Sequence, residues 1–290
     1  MSYTSELTLG MPHTNRRGFS EPHLLKQAGH WHWQAIAGAL GRPLADLRTV
    51  VGAEIYAAFY YIETKVADAM PLELFRVGDA VRFTIDLRAF KNLSLEGRVR
   101  VSRAAAAVGE ADPEIRFANI FITPVKGNSD LKVAAPAAVD WSAIAPLPNA
   151  ENPFHLTRTA KEEGTLGLLD GTWREVGEPA AYRYEIDRDR DTNGAGLVYF
   201  ANYVAFADAA ERVLNRVRRL PPNESSVRHR RIAYYGNADI DDSLSIRTVT
   251  CVNREWPQRV GYRHVVSRES DGALICLTEV IKATEHAVGF

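Results

Sequence analysis

Asp191-Thr-Asn-Gly-Ala-Gly-Leu-Val-Tyr-Phe-Ala-Asn-Tyr-Val-Ala-Phe-Ala-Asp-Ala-Ala-Glu-Arg212 decides how this chain is read. A turn-forming run of small residues gives way at Asn202 to a helix over residues 202–220. Val204, Ala207, Ala210, Leu214 and Val217 share one face of it. Pro221-Pro222 stops the helix. Residues 181–187 alternate as a strand before the segment, and strands are expected over 244–252, 260–267 and 273–283 after it.

The same order occurs earlier in the chain. His13-Thr14-Asn15-Arg16-Arg17-Gly18 leads into a helix over residues 20–40, with Leu24, Ala28, Trp31, Ala35 and Ala39 on one face. Ser20 suits the N-cap and Pro22 the first turn, and Gly41 and Pro43 close the segment. Strands follow over 56–62, 81–87, 95–101 and 115–125. In the second of these, Val81, Phe83, Ile85 and Leu87 alternate with Arg82, Thr84 and Asp86. Thr14 and Thr192 are 178 residues apart, as are Asn15 and Asn193. Gly78-Asp79 precedes a strand in the first half as Asp241-Asp242 does in the second. This is an internal duplication.

A long helix followed by a curved antiparallel sheet must bury one face of that sheet, and wrapping the sheet around the helix does so. The expected fold is α+β, a double hotdog. Its two units join edge to edge in one continuous sheet, which removes two exposed strand edges. The halves are residues 1–150, including a connector, and 151–290. The connector, over residues 127–154, carries Pro136, Pro146, Pro148 and Pro153 among alanines, and is expected to lie along the surface.

The 290 residues, 46% of them hydrophobic, suffice for one large domain or two of about 145. A net charge of −1 offers no broad basic field for nucleic acid. No stretch reaches the roughly 20 apolar residues that cross a membrane, and Met1 to Asn15 lacks the charged and apolar regions of a signal peptide. Two cysteines, Cys251 and Cys276, make no disulfide framework and read as buried thiols on strands. The expected location is the cytoplasm. His30-Trp31-His32-Trp33 reads as packing rather than a metal site, because histidines two apart on a helix face different ways. No metal is expected.

The quoted segment resembles the signature of the 4-hydroxybenzoyl-CoA thioesterase group of hotdog proteins: Asp-Thr-Asp, small residues, Val-Tyr, then Ala-Asn-Tyr and a helix. One departure matters. The group's catalytic carboxylate falls on Asn193, and in the first half the equivalent position is Asn15. An amide is no general base, but it can donate a hydrogen bond to an oxyanion. The stretch Leu9-Gly-Met-Pro-His-Thr-Asn-Arg-Arg-Gly-Phe-Ser-Glu21 with Tyr56-Ala-Ala-Phe-Tyr-Tyr61 is similar to the bifunctional acyltransferase/decarboxylase family of leinamycin-type polyketide pathways. That resemblance runs the whole chain. It implies decarboxylation of methylmalonyl-CoA and delivery of propionyl to an acyl carrier protein, with CoA as acyl donor and no cofactor. It also implies a role for a first-half tyrosine, placed on Tyr56 with Tyr60 as the alternative.

Such chemistry needs donors for a thioester oxygen and a proton for the α carbon. The resemblance and the duplication together make Tyr56, Asn15 and His13 the candidate catalytic residues, and Thr14, Gly18, Ser20, Tyr60, Asn193 and Gly196 the candidate substrate contacts. Each has a blander alternative: a core aromatic for Tyr56, turn or cap residues for Asn15, Asn193, His13, Thr14 and Ser20. Arg228-His229-Arg230-Arg231 and Arg216, Arg218 and Arg219 are either an edge strand and a solvated helix end, or contacts to CoA phosphates or an acidic carrier. The alternatives in function are a thioesterase or dehydratase on the same scaffold, or a non-catalytic acyl-binding subunit. A homodimer is compatible with the remaining sheet edges.

Overall fold

The computed structural model describes residues 2–91, 94–125, 130–217 and 225–284. The chain divides into two compact units, residues 1–155 and 156–290.

In the first unit, strand β1 (Ser2–Thr8) precedes helix α1 (Glu21–Leu40). Strands β2 (Tyr56–Lys65), β3 (Ala80–Phe90), β4 (Ser94–Arg103) and β5 (Glu114–Pro124) follow. They form an antiparallel sheet in the order β1-β3-β4-β5-β2. A second helix, α2 (Phe154–Glu163), begins as this unit ends.

In the second unit, β6 (Trp173–Glu185) precedes helix α3 (Asn202–Val217), and β7 (Ser225–Tyr234), β8 (Ser243–Asn253), β9 (Arg259–Arg268) and β10 (Leu274–Thr284) follow. Their order is β6-β8-β9-β10-β7, strand for strand the topology of the first unit. This is a double hotdog, and the shared strand order is the duplication expressed in topology.

Both helices lie on one face of their own sheet because their apolar stripes have the helical period. Leu24, Leu25, Ala28 and Ile36 are fully buried on α1, and Phe83, Ile85, Val99, Val101, Ile115 and Phe117 are fully buried on the strands. The stripe differs from expectation in one place. Trp31 is only half-buried, and His32 takes the fully buried position. Its Nε2 meets Asn119 Oδ1 at 3.0 Å. The sheet makes room for the ring by omission: a Cβ on Gly97 would stand 2.1 Å from His32 Nδ1. Phe59 and Phe117 close over it, with ring centroids 4.7 Å apart.

On α3, Val204, Ala207, Ala210 and Leu214 are buried together with Leu244, Ile246, Val266 and Val280 of the sheet. The chain between the repeats packs on the sheets of both units. In the first unit, Ala145–Pro146 runs parallel to Arg88–Ala89, Trp141 packs edge-on against Phe121, and Glu151 takes ion pairs from Arg88 and Arg98. In the second, Ala160 and Leu166 pack with Ala233 and Leu277, while Glu279 accepts from Thr165, Leu168 N–H and Arg263. Cys251 and Cys276 are buried free thiols, as expected. Among the described residues, no helix is long and apolar enough to cross a membrane, and no cluster of His, Cys, Asp and Glu has the makings of a metal site.

Candidate functional site

The segment before α1 is a compact hairpin. Met11–His13 forms a single helical turn, and His13 Nδ1 accepts from Gly10 N–H at 2.9 Å. In neutral His13 the proton therefore sits on Nε2, the nitrogen the turn leaves over. Thr14 then pairs with Phe19 and Asn15 with Gly18. Asn15 Oδ1 accepts from Arg17 N–H at 2.8 Å, an Asx turn. Thr14 Oγ1 reaches back toward the Gly10 and Met11 carbonyls, 3.5 Å from each. Ser20 sits at the N-cap of α1 without a side-chain capping bond, and its carbonyl accepts from Leu24 N–H at 2.8 Å.

Gly18 packs tightly. Its φ is +114°, and a Cβ there would stand 2.5 Å from the Leu72 carbonyl oxygen and 2.8 Å from Glu73 Cα. The absence of a side chain here lets the hairpin approach the backbone of residues 72–75.

The segment before α3 repeats this construction with more bonds. Asn193 Oδ1 accepts from Ala195 N–H at 3.0 Å and Leu197 N–H at 3.1 Å, and Gly196 takes a φ of +72° to close the turn. Asn202 donates to the Arg190 carbonyl at 3.1 Å, tying the start of α3 to the turn. Asp191, which stands where the first half has His13, is 2% exposed. It accepts from Tyr184 OH at 2.8 Å, Asp187 N–H at 2.9 Å and Arg190 Nε at 3.2 Å. Burial and the Asp191 bond push the Tyr184 phenol above its ordinary value. The acid two residues before the amide is therefore committed to structure.

Tyr56 opens β2, half-buried, and its hydroxyl donates to Glu54 Oε2 at 2.9 Å. That hydrogen bond, then burial, raises its pKa. Arg48, nearby, is turned to the Ala45 and Leu47 carbonyls. Tyr60 lies in a bulge of β2 and is 7% exposed. Its hydroxyl donates to Asn152 Oδ1 at 3.0 Å, and burial pushes its pKa up to about 12. The structure thus gathers His13, Thr14, Asn15, Gly18 and Ser20 in one hairpin. It sets Tyr56 on a separate strand, bonded to Glu54.

Sequence reasoning missed Glu54, the partner of Tyr56, although an acid two residues before a strand tyrosine was there to be seen. It also missed a buried polar chain under α3. The run Arg228–Arg231 is one piece of that chain. Arg230 is buried and ion-paired with Asp208 at 3.1 Å, and Arg231 donates to the Leu166 carbonyl. That corrects the reading of the run as a solvated or ligand-contacting face. Arg218 and Arg219 lie outside the described residues.

No protein-family model and no curated protein matches the chain. Solved structures do. A protein described as an oleoyl thioesterase, from Lactobacillus plantarum, superposes with a TM-score of 0.66 at 9% identity, over 98% of this chain and 96% of that one. An acyl-ACP thioesterase from Bacteroides thetaiotaomicron gives 0.60 at 12% identity, over 97% of both chains. A 12:0-ACP thioesterase from Umbellularia californica gives 0.59 at 12% identity, over 97% and 96%. At these identities the likeness is one of fold, and it spans both units.

Proposed function

We propose that the protein is an enzyme acting on acyl thioesters, and that its reaction is decarboxylation of methylmalonyl-CoA followed by delivery of propionyl to an acyl carrier protein. One observation carries the non-hydrolytic part of this reading. Both pre-helix turns hold an amide, Asn15 or Asn193, whose oxygen is spent on backbone N–H groups, and the neighbouring acid Asp191 is buried and fully bonded. Nothing in this arrangement activates water. The whole-chain fold likeness to proteins named for acyl-ACP and oleoyl thioesters supports the substrate class.

The proposed chemistry draws on the first-unit hairpin and on Tyr56. The bond between the α carbon and the carboxylate breaks, its electron pair enters the thioester enolate, and CO2 leaves. The Asn15 Nδ2 group and the N–H groups at the start of α1 are the donors that hold the enolate oxygen. His13 presents Nε2–H to the departing carboxylate. Tyr56 delivers the proton to the α carbon, with Glu54 holding the phenol in place. The rival reading, hydrolysis, is favoured by the same fold likeness.

The test is to incubate the protein with methylmalonyl-CoA, propionyl-CoA and a phosphopantetheinylated carrier protein and follow every species by mass. Loss of CO2 from the acyl group with appearance of propionyl-carrier is expected. Free acid without transfer would establish hydrolysis instead, and no change at all would leave only binding. Tyr56→Phe is expected to slow turnover about 100-fold or more; undiminished turnover removes Tyr56 from the reaction.

A further inference from the structure

The hairpin before α1 stands in an exposed surface that the chemistry above does not use. Leu9 N–H donates to the Asp79 carbonyl and Gly78 N–H to the Leu9 carbonyl, so Met11 and Val77 lie on adjoining segments. Gly18 packs on the backbone of residues 72–75, which sets the hairpin beside Leu74 and Arg76. Met11 is 78% exposed, Leu74 43% and Val77 51%, and Arg16 and Arg76 are exposed with them. Residues 10–19 contain no acid. Of the two acids in residues 72–79, Glu73 is half-buried. The other, Asp79, accepts from Arg76 N–H at 2.9 Å and pairs with Arg103 at 3.8 Å. Burial lowers the His23 pKa in the first turn of α1, and the nearby Lys26 and His13 act in the same sense.

The second unit builds the same frame without this surface. Asp239 N–H donates to Asp242 Oδ2 as Arg76 N–H does to Asp79, and Arg268 donates to the Asn237 carbonyl as Arg103 does to that of Leu74. On that match Asp239 replaces Arg76, and Asn237, only 8% exposed, replaces Leu74. The repeat of 178 residues puts Asp189 in the place of Met11, and the tip Arg16-Arg17 becomes Gly194-Ala195-Gly196. Arg190 in that loop is bonded to Asp191 and Tyr184. The fold therefore needs neither the arginines nor the exposed apolar side chains, which gain nothing from burial where they stand. Apolar groups gathered on a surface with a charged rim mark a contact site, and Met and Arg are enriched in such sites.

We propose that the face formed by Met11, Arg16, Arg17, Leu74, Arg76 and Val77 docks the acyl carrier protein, on the reading above that the chain acylates one. The partner it fits is an acidic protein surface that bears a phosphopantetheine arm. The arginines attract its carboxylates and the arm's phosphodiester and steer the encounter, while the apolar side chains seal the contact. A face of this size suits a transient encounter, in which the carrier presents its thiol and leaves acylated. A carrier seated here holds its arm beside Asn15, the donor assigned to the enolate. The matching face of the second unit, with Asp189 and Asp239, repels the same partner.

The experiment supplies methylmalonyl-CoA to the full chain with two acceptors, a phosphopantetheinylated acyl carrier protein and free pantetheine, whose acylation needs no protein contact. Arg76→Asp and Arg16→Gly install the residues that the second unit already holds in the same turns. Each is expected to raise the KM for the carrier about tenfold, and the two together about 100-fold, with CO2 release and transfer to pantetheine unchanged. Arg76→Lys, which keeps the charge, should retain parental transfer. Raising NaCl to about 0.5 M should weaken transfer to the carrier more in the parent than in the double variant. Circular dichroism reports folding, and if the double variant does not fold, the single variants and the salt dependence decide. Parental transfer to the carrier by the double variant overturns the proposal, as does an equal loss with carrier and pantetheine. A raised KM for methylmalonyl-CoA in place of the carrier assigns the face to CoA and overturns it too. A parent protein that releases no CO2 and acylates neither acceptor overturns it together with the function it rests on.

Discussion

The two helix–sheet interiors are built on one topology and solved in opposite ways. Under α1 sits a neutral His32–Asn119 pair walled by Phe59, Phe117 and Trp33. Under α3, Asp208 and Glu211 reach the sheet and are met by Arg230, Lys282 and His264. After duplication the frame is held by the apolar stripe and the strand register, which both halves keep. The polar content beneath the helix is free to diverge. A neutral interior tolerates isolated change, whereas a charged one is only as good as its completeness, because each ion depends on its partner for the solvation it has lost.

The sharpest way to break the comparison is to remove one member of the charged set. Burial opposes the charge on Lys282, but Asp208 and Glu211 hold its pKa above the ordinary lysine value. Lys282→Met keeps the volume and strands Glu211. It is expected to cost about 3–5 kcal/mol in urea unfolding. Adding Glu211→Leu should recover much of that loss, because the pair is then gone rather than broken. Full additivity of the two losses would contradict the account.

Next comes acid. Burial lowers the His32 pKa to about 4, with the Asn119 bond opposing it. The unfolded histidine titrates near 6.5, so on acidification the unfolded chain takes up the proton first. Stability is whole above about pH 6.5 and falls as pH drops toward 4, by up to about 3 kcal/mol from this residue. His264 is lowered as well and adds to the same trend in the other unit. The His32 share is the difference in pH dependence between the parent and His32→Leu across that window, and no difference would contradict the buried neutral ring. Gly97→Ala probes the same ring at constant pH. Its Cβ would overlap His32 Nδ1, and overpacking of this kind costs about 1–3 kcal/mol.

The contrast also explains what could be read from the sequence. The strands of the first sheet were legible because Val81, Phe83, Ile85 and Leu87 obey a period of two and all are buried. Edge strand β1 was not, since in Ser2–Thr8 only Tyr3 and Leu7 are apolar, one face is exposed and the other is only half-buried. At Arg228–Arg231 an edge strand was one of the readings, but its arginines look solvated, and nothing local shows that Arg230 turns inward to an acid 22 residues away. His32 was seen as packing, but the stripe assigned its place to Trp31, because Gly97, which makes the space, lies 65 residues further along. The charged set under α3 joins partners through tertiary contact alone, so no local pattern announces it. The pre-helix turns were legible, since Asx turns follow from residue type and spacing.

Those turns give the smallest and most direct comparison of the halves. Asn15 and Asn193 occupy duplicated positions, but Asn193 Oδ1 accepts two backbone N–H groups and Asn15 Oδ1 accepts one. Asn193→Ala leaves two N–H groups, partly buried, without a protein partner, and should cost about 1 kcal/mol. Asn15→Ala frees a solvent-exposed N–H that water can satisfy, and should cost a few tenths. If both turns were merely structural, the proposed decarboxylation would be untouched by either change once folding is matched. The proposed oxyanion donor predicts the reverse of the stability order: Asn15→Ala, the milder substitution for folding, is the one that lowers kcat, by about 100-fold. Equal kcat for the two variants would return Asn15 to the role of a turn residue.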